Sequence, residues 1–180
     1  MKLSGDVAEP GFRYDTTTIV FHWLTVVLVA LLWTSAQTID FFPRGDGRVP
    51  MRSTHILMGV LLICVVGARL AWRAGSGRRR PSPPDLLDLG AHLTHYLLYA
   101  MLVVAMLLGL ANVWVRGDVF FFLFQVPAYD PGNTALRHLV EDLHAYATNG
   151  IVIVAGVHAV AALFHHYVLH DSILRRMLPH

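Results

Sequence analysis

The chain has 180 residues, 55% hydrophobic and only 14% charged, with a formal net charge of +2. That balance excludes an ordinary soluble domain and fits a bundle solvated by lipid. Four apolar runs, 19–36, 55–72, 89–115 and 143–167, each approach the roughly 20 residues that one bilayer crossing needs. The expected fold is all-α, an integral membrane four-helix bundle in which residues 1–180 form one transmembrane domain.

The first sixteen residues carry Asp6, Glu9, Arg13 and Asp15. They lack the basic start, short apolar core and small-residue cleavage site of a secretory signal, so the first span is expected to remain in the protein. The loop after it, 36–54, contains FFPRGDGR. The second span holds Cys64, the single cysteine, which cannot form an internal disulfide and is expected to be a buried small hydrophobe. No Cys-x-x-Cys-His is present for covalent haem attachment. The stretch 73–84, with Arg78, Arg79, Arg80 and a Pro-rich run, cannot continue a helix. It reads as a connector beside anionic lipid headgroups rather than a nucleic-acid contact. In the loop 115–137, Phe120–Phe122 are expected at the membrane interface.

Basic residues set the expected orientation. Lys2, Arg13, Arg73, Arg78, Arg79, Arg80, Arg175 and Arg176 flank one face, whereas Arg44, Arg48, Arg52, Arg116 and Arg137 flank the other. The richer face is the cytoplasmic one, which puts both termini inside.

Four histidines lie within these spans, where ionisable groups are costly and mark function. His22 sits near the cytoplasmic start of the first span and His55 at the outer start of the second. His144 and His158 are fourteen residues apart on the fourth, about 21 Å of rise and within about 40° of four whole turns. One face of that helix therefore offers a ligand at each depth. The pairs that follow are His55 with His144 near the outer surface and His22 with His158 on the cytoplasmic side. Haem iron accepts axial imidazole, and a bundle core can hold a flat macrocycle. A zinc site would draw three or four ligands to one depth, but these divide two and two. The bland alternative is hydrogen-bonded histidines between helices.

Further histidines surround these. His92 and His95 share a face of the third span, and His165 and His166 end the fourth. His138 is assigned to the loop before the fourth span, and His170 and His180 to solvent.

The runs FHWL (21–24), FFPRGD (41–46), THILMG (54–59), GARL (67–70), AHLTHYLLY (91–99) and VHAVAALFHHYVLHDSILRRMLP (157–179) cover almost the whole chain in order. With them it resembles the bacterial cytochrome b561 family. The resemblance implies two stacked, non-covalent b-type haems with axial ligands at His22, His55, His144 and His158. It also implies an inner-membrane oxidoreductase that takes one electron from each of two superoxide anions at the periplasmic face and delivers both, from outer to inner haem, to ubiquinone. Where the family commonly has Glu directly after the outer fourth-helix histidine, this chain has Ala145, so no proton role carries over to that position.

Superoxide steering falls to Arg44, Arg48, Arg52, Arg116 and Arg137, which could focus an anion toward the outer haem. A quinone contact or proton path falls to Arg69, His95 and His166. Two other classes stay open: a haem b subunit linking a partner dehydrogenase, hydrogenase-like, to quinone, and a histidine-based transporter or proton channel.

Overall fold

The structure is a computed structural model and describes residues 14–75 and 86–178. The expectations for residues 1–13, the Arg78–Arg80 connector and His180 lie outside the described residues.

Long uninterrupted apolar runs free of interior proline become helices, because in lipid only an internally bonded backbone is tolerated. Four such helices, α1 (Thr16–Thr38), α2 (Val49–Gly75), α3 (Leu86–Arg116) and α4 (Thr134–Tyr167), are long and apolar enough to cross a membrane. Asp15 caps α1, its carboxylate accepting from the Thr18 N–H at 2.9 Å and the Thr18 hydroxyl at 2.8 Å. The same carboxylate accepts from the Trp72 indole at 3.1 Å, which ties the start of α1 to the end of α2. A short 3-10 turn, Gly45–Arg48, leads into α2, and Pro50 falls in its first turn, where a missing N–H leaves no intrahelical bond unmade.

Several bounds differ from the sequence reading: α2 begins at Val49, inside the expected 36–54 loop, and Arg73 still belongs to it. α4 begins at Thr134, capped by Asn133, whose side chain accepts from the Leu136 N–H at 3.0 Å. His138 therefore lies in the helix and not in a loop, because the polar segment Thr134–Asp142 continues α4 beyond its apolar run. Between α3 and α4 stands a small antiparallel hairpin, β1 (Val119–Phe120) and β2 (Phe124–Gln125). At its tip Phe121 and Phe122 have φ of 46° and 60°, a left-handed conformation that costs roughly 1–2 kcal/mol per non-glycine residue. Ser53 of α2, fully buried, holds that turn in place. Its hydroxyl accepts from the Phe121 N–H at 2.8 Å and donates to the Val119 carbonyl at 3.3 Å.

α1 packs chiefly on α2, and α3 chiefly on α4, with fewer contacts between the two helical hairpins. A mid-depth apolar layer joins them: Leu28 of α1, Leu62 and Val66 of α2, Leu102 and Ala105 of α3, and Ile151 of α4. Ile151 stands midway between His144 and His158, so this layer separates an outer from an inner histidine level. Outside it, residues such as Val27, Leu107, Ile153 and Val160 are exposed, as lipid-facing side chains must be. Cys64 is also exposed, not buried. A helix apolar on all sides gives no signal of which face is inward, and Cys64 takes the lipid side.

Candidate haem centres

At the outer level, each helical hairpin contributes one histidine and the means to orient it. Ser35 of α1 donates its hydroxyl proton to the Leu32 carbonyl at 2.8 Å. Its oxygen is left to accept from His55 Nδ1–H, 2.9 Å away. On the other hairpin, His144 Nδ1 lies 3.1 Å from the Ala105 carbonyl, an acceptor that requires Nδ1 to carry the proton. Both rings are therefore held as the tautomer with a free lone pair on Nε2, the arrangement in which a histidine binds a metal while its other nitrogen donates to a fixed acceptor.

The two rings meet across the gap between hairpins, nearly perpendicular, with centroids 6.5 Å apart. Metal–imidazole bonds of about 2 Å on each side set two ring centres about 6 Å apart, so the separation fits one iron. A Cβ on Gly109 of α3 would stand 3.2 Å from His144 Cε1, and the absent side chain lets that ring approach. Gly59, one turn beyond His55 on its face of α2, has nothing within 4 Å of where a Cβ would be. These residues fit a bis-histidine haem.

Removing the Ser35 hydroxyl should loosen the outer centre. Loss of such an outer-shell partner costs about 10–100-fold in metal affinity. Ser35→Ala is thus expected to release one haem per chain that much faster to apomyoglobin, followed by the change in visible absorbance, while the second haem leaves at the parental rate.

At the inner level the arrangement is more crowded. His22 lies within electrostatic range of His158, His95 and Arg69, and its nearest ring partner is Trp23 at 5.6 Å. His158 has the His95 ring at 5.2 Å. Arg69 stands over Tyr99, 5.2 Å from its centroid, with Arg73 at 5.9 Å from the same ring. His95 and Arg69 thus join the His22 and His158 neighbourhood. His166 packs against Tyr167, and its Nδ1 is buried without a hydrogen-bond partner among the described residues. Below this level the chain end folds back, and the Trp23 indole donates to the Met177 carbonyl at 2.7 Å.

The profile of the prokaryotic cytochrome b561 family matches residues 13–180. The chain belongs to the prokaryotic cytochrome b561 family. It is 33% identical over 172 residues to cytochrome b561 homolog 1 of Escherichia coli K12, covering 93% of this chain and 97% of that protein. It is also 30% identical over 174 residues to a probable superoxide oxidase CybB of Yersinia pestis, covering 93% and 96% respectively. Family membership makes this b561 protein a bacterial inner-membrane electron-transfer protein with two b-type haems, associated with quinone.

Above the outer centre lies a charged cleft of about 370 Å³. Arg52 is one turn before His55 on α2, Glu141 one turn before His144 on α4, and Arg116 ends α3; with Arg137 and Asp118 they line the cleft. Arg116 pairs with Glu141 at 2.9 Å and lies 3.6 Å from Asp118, which Arg52 meets at 3.3 Å. Arg137 makes no ion pair among the described residues. Burial pushes the Asp118 carboxyl above its ordinary value, against the opposing pull of Arg116 and Arg52. Of the five arginines expected to act together, Arg52, Arg116 and Arg137 converge. Arg48 instead binds Asp40 at 2.7 Å, and Arg44 is exposed away from the cleft lining.

The sequence reading missed Ser35, Ala105 and Gly109. Gly109 alone left a signal, since a glycine inside a long apolar helix marks a close approach. A backbone carbonyl acceptor such as that of Ala105 leaves none.

Proposed function

We propose that this cytochrome oxidises superoxide at its outer face and delivers the electrons to ubiquinone. The observation that carries the reading is the arginine-lined cleft lying one helical turn above a histidine pair spaced for an iron. The probable superoxide oxidase of Yersinia pestis supports it as a relative of similar length. In this reading His55 with His144, and His22 with His158, would hold the two haems, and both termini are cytoplasmic.

Bound haem supplies one-electron redox chemistry at each level. The rest falls to the chain. Arg137, whose charge no ion pair offsets among the described residues, raises the local concentration of an anion, beside Arg52 and Arg116 whose fields Asp118 and Glu141 partly cancel. Ser35 and the Ala105 carbonyl hold the outer rings so that reorientation does not accompany electron transfer. Leu62 and Ile151 keep water out of the layer between levels. Arg69 and His95 place polar groups beside the inner level, where a proton path would end. Two superoxide anions become two dioxygen molecules and yield two electrons; ubiquinone takes these with two protons to become ubiquinol.

The test is the visible spectrum of anaerobically purified protein, with catalase present, during a superoxide pulse with and without a soluble ubiquinone analogue. Reduced b-type bands should grow at once, then decay with stoichiometric quinol when quinone is present. Bands that appear with dithionite but never with superoxide would overturn the reading and point to a partner dehydrogenase as donor.

A further inference from the structure

Two arginines of α2 lie at the inner level without an anion to meet them. Arg69 follows His55 by fourteen residues, about 21 Å of rise and within about 40° of four whole turns, the same spacing that separates His144 from His158 on α4. One line of α2 therefore carries a histidine at the outer level and an arginine at the inner one, where α1 supplies His22 instead. Arg73 follows one turn later. Both guanidinium groups lie by the Tyr99 ring of α3, and Arg69 is half-buried. Among the described residues no carboxylate pairs with either arginine. Asp15, which meets this end of α2, is engaged by Thr18 and the Trp72 indole. The groups within electrostatic range of Arg69 include three histidines, His22, His95 and His158. A cation held inside a membrane span without a counter-charge is costly, so this arrangement calls for a bound anion.

We propose that Arg69, with Arg73 beside it, binds the propionate carboxylates of the inner haem. The inference rests on that haem lying between His22 and His158. Ligands from α1 and α4 leave α2 and α3 against the edge of the macrocycle, and Arg69 and Tyr99 belong to those two helices. A b-type haem carries two carboxylates on one edge, which two arginines one turn apart match in number and sign. Guanidinium also matches a carboxylate in shape, offering two parallel N–H donors to its two oxygens. A phospholipid phosphate has the same anionic oxygens, but it belongs to the headgroup layer, whereas Arg69 stands among the histidines of the inner level.

Such a contact supplies what two axial histidines cannot. Bonds along one axis leave a macrocycle free to turn about that axis, and a carboxylate fixed to α2 stops the turn. It also gives α2 a hold on the inner level, where neither proposed ligand belongs to that helix.

The experiment compares the full-length, haem-loaded protein with Arg69→Gln and Arg69→Lys, the haems carrying carbon-13 at their propionate carboxyls. In redox-difference infrared spectra the isotope-sensitive carboxylate band should shift in Arg69→Gln and return most of the way in Arg69→Lys. Arg69→Gln should also release one haem to apomyoglobin about tenfold faster, the size of one charge-assisted hydrogen bond. That haem is the one Ser35→Ala leaves at the parental rate, and the other, unchanged, reports an intact fold. Arg73→Gln is the second variant should Arg69→Gln fail to fold, with a shift of the same band expected. An unmoved band with parental release overturns the proposal. Loss of bound phospholipid phosphorus from Arg69→Gln with an unmoved band overturns it too, and assigns the arginines to a headgroup. If His22→Ala and His158→Ala keep both haems, the ligand assignment itself fails. If each loses one haem while Arg69→Gln changes neither band nor rate, only the carboxylate contact fails.

Discussion

His55→Ala or His144→Ala is expected to leave one haem per chain instead of two, and His22→Ala or His158→Ala the other one. In the proposed assignment each substitution removes one of the two histidines that would hold the haem at its own level. The levels are independent because the Leu28, Leu62, Val66 and Ile151 layer stands between them, and His144 and His158 are separated by about 21 Å of helix rise. Perturbations beyond about 10 Å with no shared partner add without coupling. The surviving haem should therefore keep its low-spin resonance, which differs between the outer-level and inner-level variants. Haem-to-protein ratios by pyridine haemochrome and electron paramagnetic resonance would check this. A ratio unchanged in all four variants would sink the ligand assignment, and loss of both haems from each would sink the independence of the levels.

Arg137→Glu is expected to slow the reaction with superoxide about tenfold at low ionic strength, within the range that electrostatic focusing spans. The argument turns on which charges are free. In the cleft Arg52 and Arg116 are each engaged by Asp118 or Glu141, which cancel much of their field. Arg137, also in the lining, has no such partner among the described residues, so its reversal alters the field without unpairing a cleft carboxylate. Screening over about 8 Å at physiological ionic strength should make the deficit shrink as salt is added. Stopped-flow reduction at several salt concentrations reads this directly, with the reduced spectrum as the check that the haems are intact. A rate unaffected by the reversal at any salt would remove Arg137 from the path of the anion.

Much of the bundle was legible because lipid allows so few backbone solutions. Four apolar runs became α1 to α4, and the separate depths of His144 and His158 followed from helix rise. What escaped notice has identifiable causes. Thr134–Asp142 is polar, so its helix continues past the apolar signal and takes His138 with it. The hairpin at Val119–Gln125 depends on Ser53, 66 residues or more away in sequence, catching the turn. Cys64 faces outward because a uniformly apolar helix encodes depth but not rotation. For the site, residue types were readable and their partners were not: Ser35 and Ala105 orient the outer rings through contacts 20 and 39 residues apart. The five outer arginines share a sign, but only the folded loops decide that Arg48 serves Asp40 while Arg137 stands free in the cleft.

The two helical hairpins touch each other sparingly away from the mid-depth layer, and each carries its own half of the outer centre already oriented. The prosthetic groups are therefore part of what joins the halves, in the way that binding free energy at a metal site becomes folding free energy. Supply of haem and maturation of this chain are then one process. A cell short of haem would be left with half-assembled hairpins exposed to membrane proteases, rather than with an idle but finished protein.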